Sequence, residues 1–281
     1  MSLTARIIDA HSLPALQTMV ADAGVHHVYA ASQLAEPNYL GQPIVNFLGC
    51  FDQDAYGRDT LVSALMLGAN LVPINTTAQS RRVLVQALRP QRYLPASLVG
   101  NTAEVLDLWH HLEQIYGQPR EVRARQPLLL IQEQSTLQCD ERVRYSRHED
   151  LDVLFPACVD MFTEELGVSP IAYGQASYRS RVESLVHARH SFVRRDGDTV
   201  IFKAEVSAVG NGIALVQGVW VNPDYRGQGI AAPALATVVK FILDDIASAA
   251  CLYVNNFNTR ALAAYRKVGF HQVDEFATIL L

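Results

Sequence analysis

The run from Val219 to Ala232, Val-Trp-Val-Asn-Pro-Asp-Tyr-Arg-Gly-Gln-Gly-Ile-Ala-Ala, leaves the chain few paths to follow. Its β-branched and aromatic start reads as a strand, and Asn222-Pro223-Asp224 ends that strand. Gly227 and Gly229 then supply turn positions that other residues take only under strain, and an apolar helix begins at once. A strand, a glycine turn and a helix start in this order aim several backbone N–H groups, and the positive end of a helix, at one point. The natural occupant is an anion. Arg226 adds a charged fork suited to phosphate or pyrophosphate.

Gly227, Gly229 and Ala232 also satisfy the G-x-G-x-x-G/A dinucleotide pattern. That pattern opens a repeated βαβ unit and needs an acidic residue about 20 positions later. Here too little chain follows for a doubly wound sheet, and the next strand-like run, Cys251 to Val254, is followed by Asn255. A P-loop is excluded because no Gly-Lys-Ser/Thr follows the glycines.

A second element completes the pattern. Asn258 opens a short helix that closes at Gly269-Phe270, with Tyr265 on its last turns. On these residues the sequence resembles the GCN5-related N-acetyltransferase (GNAT) family. The family's Arg/Gln-x-x-Gly-x-Gly/Ala loop is matched by Arg226, Gly229 and Ala231, and its later Asn…Tyr-x-x-x-Gly-Phe element by Asn258, Tyr265, Gly269 and Phe270. The resemblance covers residues 142–281.

It implies acetyl-CoA as cosubstrate, with pyrophosphate on the backbone of Arg226, Gly227, Gln228, Gly229, Ile230 and Ala231. The pantetheine arm would run beside the strand ending at Val221, where Val219 and Val221 offer main-chain groups. Tyr265 is the implied general acid for the departing thiolate, a phenol that stays protonated at neutral pH. The alternative is a tyrosine packed on a helix face with its hydroxyl in water. Asn258 caps its helix, bonds the cofactor, or does both. Many members carry a glutamate on the strand before the loop, but the run from Ile213 to Val221 has no carboxylate. Glu205, on the adjacent strand, is the nearest substitute as general base, against the alternative of a salt bridge with a neighbouring strand or with Lys203. Glu164 and Glu165 are further options. Gly218 marks an expected bulge, and Trp220 and Tyr173 either line an acceptor pocket or belong to the core.

Composition bounds the rest. With 281 residues, 49% hydrophobic and 18% charged, the chain is large and apolar enough for two full cores. A net charge of -5 argues against a general nucleic-acid binder. No long apolar run is free of charge, and the N-terminus lacks the layout of a secretion signal. Four scattered cysteines and adjacent histidine pairs give no metal-ligand spacing. The expectation is a protein of the reducing cytoplasm, monomer or homodimer, with no metal, nucleic acid or membrane as partner. Its acceptor amine is unnamed by the sequence.

The N-terminal half reads as strand, helix, apolar strands within 44–51 and 61–74, helices at 78–88 and 103–116, and a closing strand at 126–131. That order echoes the second half. The expected fold class is therefore α/β (α+β), two tandem GNAT-type domains, each a mixed, mostly antiparallel twisted sheet flanked by helices. Residues 1–137 would form a degenerate copy and residues 138–281 the acetyl-CoA-binding domain, with the boundary in the polar stretch 133–141. The copy lacks the cradle, since Asn75-Thr76-Thr77-Ala78-Gln79-Ser80 holds no glycine and no arginine. The expected activity is transfer of an acetyl group to a primary amine by direct attack; the alternative is a non-catalytic acetyl-CoA-binding regulatory or interaction protein.

Overall fold

A computed structural model describes residues 2–35, 45–91 and 93–281, with Ser2 and Tyr173 described by main chain alone. The roles open to the Tyr173 ring and the start of the 44–51 run at Ile44 thus lie outside the described groups. The chain forms two compact units, Met1–Leu128 with Tyr253–Phe257 and Gln272–Leu281, and Leu129–Leu252 with Asn258–His271.

The first unit runs β1 (Ser2–Ile7), α1 (Leu13–Asp22), α2 (Val28–Ala35), β2 (Asn46–Gln53), β3 (Asp59–Leu67), β4 (Asn70–Ile74), α3 (Ala78–Leu88), β5 (Ser97–Asn101), α4 (Thr102–Tyr116) and most of β6 (Glu121–Ile131). Its strands follow the order β1-β2-β3-β4-β5, antiparallel except for the parallel pair β4 and β5. The apolar stretch 61–74 resolves into two strands, β3 and β4, paired antiparallel around Gly68. Strand β5 and helix α2 were not anticipated; each is short, and β5 runs straight into α4, so neither has the length that makes a periodic pattern readable.

The second unit runs β7 (Arg144–Tyr145), α5 (Leu151–Leu166), α6 (Gln175–His187), β8 (Ser191–Asp196), β9 (Thr199–Gly210), β10 (Ile213–Val221), α7 (Ala231–Asp245), β11 (Ala249–Tyr253) and α8 (Thr259–Val268). Its strand order is β11-β10-β9-β8-β7, antiparallel but for β10 with β11. Asp150 fixes the start of α5. It is fully buried, is forked by Arg144 at 2.6 and 2.8 Å, and takes the Arg147 N–H at 2.8 Å. The helix stops at Gly167, left-handed at φ 69°, so Glu164 and Glu165 fall on its last turn.

The last strand, β12 (His271–Leu280), joins the first unit. It pairs antiparallel with β5 from Phe276 opposite Asn101 to Leu280 opposite Ser97. Ala277 and Ile279 are fully buried there, in one core with Leu48, Leu65, Leu98, Val105 and Leu108. Asp274, on the same strand, accepts from Asn101 Nδ2 at 3.0 Å and meets His26 Nε2 at 2.7 Å. The division therefore differs from a single cut between residues 137 and 138, because the apolar face of the last strand is buried among N-terminal residues.

Ile279→Ala should destabilise the N-terminal unit by about 2–5 kcal/mol, as a buried large-to-small change does. Hydrogen exchange checks this: protection should fall in α3 and α4 more than in α5, although the substitution lies at the C-terminus.

Candidate functional site

Strand β10 parts from one neighbour and bulges against the other. Its parallel pairing with β11 runs from Ile213 opposite Ala249 to Leu215 opposite Cys251 and stops there. On its other side Gln217 pairs with Glu205 and Trp220 with Lys203, so β10 spends one extra residue on that interval. Gly218 takes the strain at φ 59°. A Cβ built on it would come within 3.1 Å of Lys203 Nζ and 3.2 Å of Met161 Cε. The expected bulge is present, and glycine is there for two reasons, backbone angle and lack of room.

Beyond Val221 the chain makes the turn that the sequence suggests. Asn222 Oδ1 accepts the Asp224 N–H at 3.1 Å, and a short 3-10 turn leads to Gly227 and Gly229 at φ 78° and 75°. Within the described residues none of the main-chain N–H groups from Gly227 to Ala232 makes a hydrogen bond of normal geometry. The first internal bond of α7 is Ala234 N–H to Ile230 O, and no side chain caps the helix. Gly227, Gln228, Gly229, Ile230 and Ala231 thus place unspent donors at the positive end of a fifteen-residue helix. The space around both glycines is open, with nothing within 4 Å of either notional Cβ.

Arg226 is differently engaged from its expected role as a fork for the anion. Its Nη1 and Nη2 donate to the two carboxylate oxygens of Glu164, each at 2.7 Å, and its Nε donates to Val221 O at 2.9 Å. The hydrogen bond from Arg226 holds the Glu164 carboxyl below its ordinary value. Glu164 Oε2 also accepts from Trp220 Nε1 at 3.2 Å. Trp220 itself is buried in the core with Leu154, Phe155 and Met161, so its core reading holds. Val221 gives its carbonyl to Arg226; Val219 lies on the bulged part of β10.

Tyr265 is buried, 8% exposed, with its ring edge-on to Phe270 at 6.1 Å. Burial, and next the charge of Glu165, push its phenol above the ordinary value, so it is neutral across the physiological range. The motif around it has a plain local cause. Gly269, at φ 117°, turns the chain so that the N–H groups of Gly269 and Phe270 both return to Tyr265 O, and Phe270 lands on the tyrosine ring. Asn258 caps α8, its Oδ1 accepting the Ala261 N–H at 3.1 Å.

Glu205 takes the alternative course. Lys203 and Glu205 stand two residues apart on one face of β9, Lys203 wholly buried and Glu205 5% exposed, and Nζ donates to Oε1. Gln217 Nε2 reaches Oε2 at 3.4 Å, and Cys158 Sγ lies 3.6 Å from Oε1. Burial alone would raise this carboxyl, but the ammonium beside it holds it below its usual value. The Cys158 thiol is pushed up to about 12 by burial and is no thiolate. A carboxylate held this way packs against the bulge at Gly218. The pairing was visible from spacing; Glu164 with Arg226, far apart in sequence, was not.

In the first unit the corresponding junction of β4 and α3 spends the donors of Thr76, Thr77 and Ser80 internally. Thr76 N–H goes to Glu104 Oε1 at 3.1 Å, Thr77 N–H to Ser80 Oγ at 2.9 Å, and Ser80 N–H to Thr77 Oγ1 at 3.1 Å. Among the described residues no three His, Cys, Asp or Glu side chains form a metal-ligating group, and no helix is long and apolar enough to cross a membrane.

Residues 155–270 match the model of the acetyltransferase (GNAT) family, and residues 52–154 match that of a domain of unknown function, DUF4081. No curated protein matches the chain. Among solved structures, a Drosophila protein is 13% identical with a TM-score of 0.66, over 100% of this chain and 99% of that one. A GCN5-related N-acetyltransferase from Sphaerobacter thermophilus is 14% identical with a TM-score of 0.61, over 99% and 94%. A tandem GNAT protein from the clavulanic acid biosynthesis pathway is 13% identical with a TM-score of 0.59, over 99% and 98%. At such identities the likeness is one of fold, and it spans both units.

Gly218→Ala should cost about 1–3 kcal/mol, since alanine there is both strained and crowded. Lys203→Met should cost about 3–5 kcal/mol by leaving Glu205 buried without its cation, and Lys203→Met with Glu205→Leu should recover most of that loss. Urea unfolding of the three variants checks both.

Proposed function

Because this chain joins a domain of the acetyltransferase (GNAT) family to a DUF4081 domain, we propose that its second unit transfers an acetyl group from acetyl-CoA to a primary amine. The observation that carries this reading is the row of unspent N–H groups from Gly227 to Ala232 at the head of α7. Six adjacent positions whose donors have no partner among the described residues suit the oxygens of a diphosphate, and the open space at Gly227 and Gly229 lets it approach. The edge of β10 freed beyond Leu215 offers main-chain groups, Val219 among them, to the amides of a pantetheine arm. Asn258 uses Oδ1 as a cap and keeps its amide nitrogen for the same ligand.

Direct transfer forms a C–N bond at the thioester carbonyl and breaks the C–S bond. Tyr265 donates its proton to the departing sulfur. A phenol this buried releases its proton reluctantly, but a thiolate formed in the same apolar surroundings is raised in proton affinity as well. Glu205 has no part in taking the amine's proton, being bound to Lys203. We assign that role to Glu165, on the last turn of α5, because its charge reaches the Tyr265 phenol.

The locked Glu205 also favours a second reading, an acetyl-CoA-binding protein that regulates without catalysis. Release of free CoA on mixing acetyl-CoA with a panel of primary amines separates the two, once binding has been measured by calorimetry. The enzyme releases CoA in an amine-dependent manner, and the regulator binds without release. Gly229→Glu should abolish acetyl-CoA binding by placing bulk and negative charge among the donors. Tyr265→Phe should lower kcat by about 100-fold and leave the acetyl-CoA Kd within a factor of two. Unchanged turnover in that variant would remove Tyr265 from the proton path.

A further inference from the structure

The fork that a phosphate would use is already taken within the protein. The end-on edge of the Arg226 guanidinium is filled by Glu164, one carboxylate oxygen on each Nη at 2.7 Å, and its Nε is filled by Val221 O at 2.9 Å. A guanidinium has five N–H donors in one plane, and the paired edge is the one that matches an oxyanion. A carboxylate on that edge stands where two phosphate oxygens would stand. The ion pair is also accessible, with Arg226 38% and Glu164 51% exposed, so water screens it and its loss costs little.

We propose that Glu164 is an intramolecular competitor of the diphosphate: it holds Arg226 against the end of β10 in the free protein and gives it up when the ligand's phosphates arrive. This rests on the diphosphate site argued above. The exchange moves three groups together. Arg226 turns toward the cradle, two residues from Gln228; the carbonyl of Val221 is freed on the strand that flanks the pantetheine path; and Glu164 loses the cation that neutralised it, which also ends the balanced contact with Trp220 Nε1. Two anions cannot share the Arg226 fork, so the affinity of the site for CoA is set partly by the strength of its own ion pair. Glu164 acts through Arg226 and is a positioning residue.

The test uses the full chain and free CoA, which carries the diphosphate and no acyl group. By calorimetry, Glu164→Gln should bind CoA about fivefold more tightly than the wild-type chain, the most an exposed pair of this kind would withhold. Asp224→Asn removes a carboxylate two residues from Arg226 and should change the affinity less than twofold, which separates release of the fork from a general loss of negative charge. Trp220 supplies an independent readout. Saturating CoA should shift the tryptophan emission of the wild-type chain, and the shift should vanish in Glu164→Gln, where the indole has no carboxylate to lose. Equal or weaker binding by Glu164→Gln, an equal gain in Asp224→Asn, or an emission shift that persists in Glu164→Gln would each overturn the proposal. A wild-type chain that binds no CoA would overturn the diphosphate site itself, and the competitor with it.

Discussion

The arrangement at the end of β10 follows from the way that strand leaves its neighbour β11. A strand in the middle of a sheet ordinarily satisfies both edges, and a main chain that gives up one edge must put those groups against water or a ligand. Here the pairing with β11 ends at Leu215, and the bulge at Gly218 bends the remainder away while keeping its contact with β9. The bend is held from below by a lysine and a glutamate that neutralise each other in a fully buried place. Such a pair contributes little net stability against apolar residues of the same size, but losing either member costs much more than the pair contributes. Its presence therefore constrains the local geometry more than it adds to overall stability.

Much of this was legible from the chain because its causes are local. A glycine turn, a helix without a cap and a helix closed by Gly-Phe are each set by residues within a few positions of one another, and the run from Val219 to Ala232 folds as its composition dictates. The alternative fate of Glu205 was visible for the same reason, since residues two apart on a strand share a face. What the chain did not show depends on distant partners. The fork between Glu164 and Arg226, the return of β12 to pair with β5, and the tie from Asp274 to His26 join residues with no shared local pattern. Strand β5 was missed because five residues between a turn and a helix carry too few alternations to be read.

The engagement of Arg226 changes how the glycine turn is to be understood. An arginine beside an anion site is easily assigned to the anion, yet the side chain here answers to two groups of the protein. Main-chain donors and side-chain donors thus behave differently at the same turn. The N–H groups from Gly227 to Ala232 are fixed by backbone geometry and have nowhere else to go, whereas a long side chain with rotamer freedom finds the nearest oxyanion available. Affinity for an anion at such a site is the main-chain contribution less the cost of recalling the side chain.

The first unit supplies the contrast that gives this weight. It has the same local order, a strand, a short loop and a helix, and it too must settle the N–H groups at the head of α3. It does so with its own side chains: Thr77 and Ser80 exchange bonds across the first turn, Glu104 takes the Thr76 N–H, and Arg81 binds the Thr76 carbonyl. A helix end satisfied in this way has no donors left to offer at those positions, and no glycine lets a ligand come near. The two junctions differ by the substitution of capping residues for glycines, and the caps of the first tie its turn to Glu104 and Ser80. The sequence difference that marks the first unit as a degenerate copy is the physical reason that Thr76, Thr77 and Ser80 spend their N–H groups inside the protein while, among the described residues, those from Gly227 to Ala232 do not.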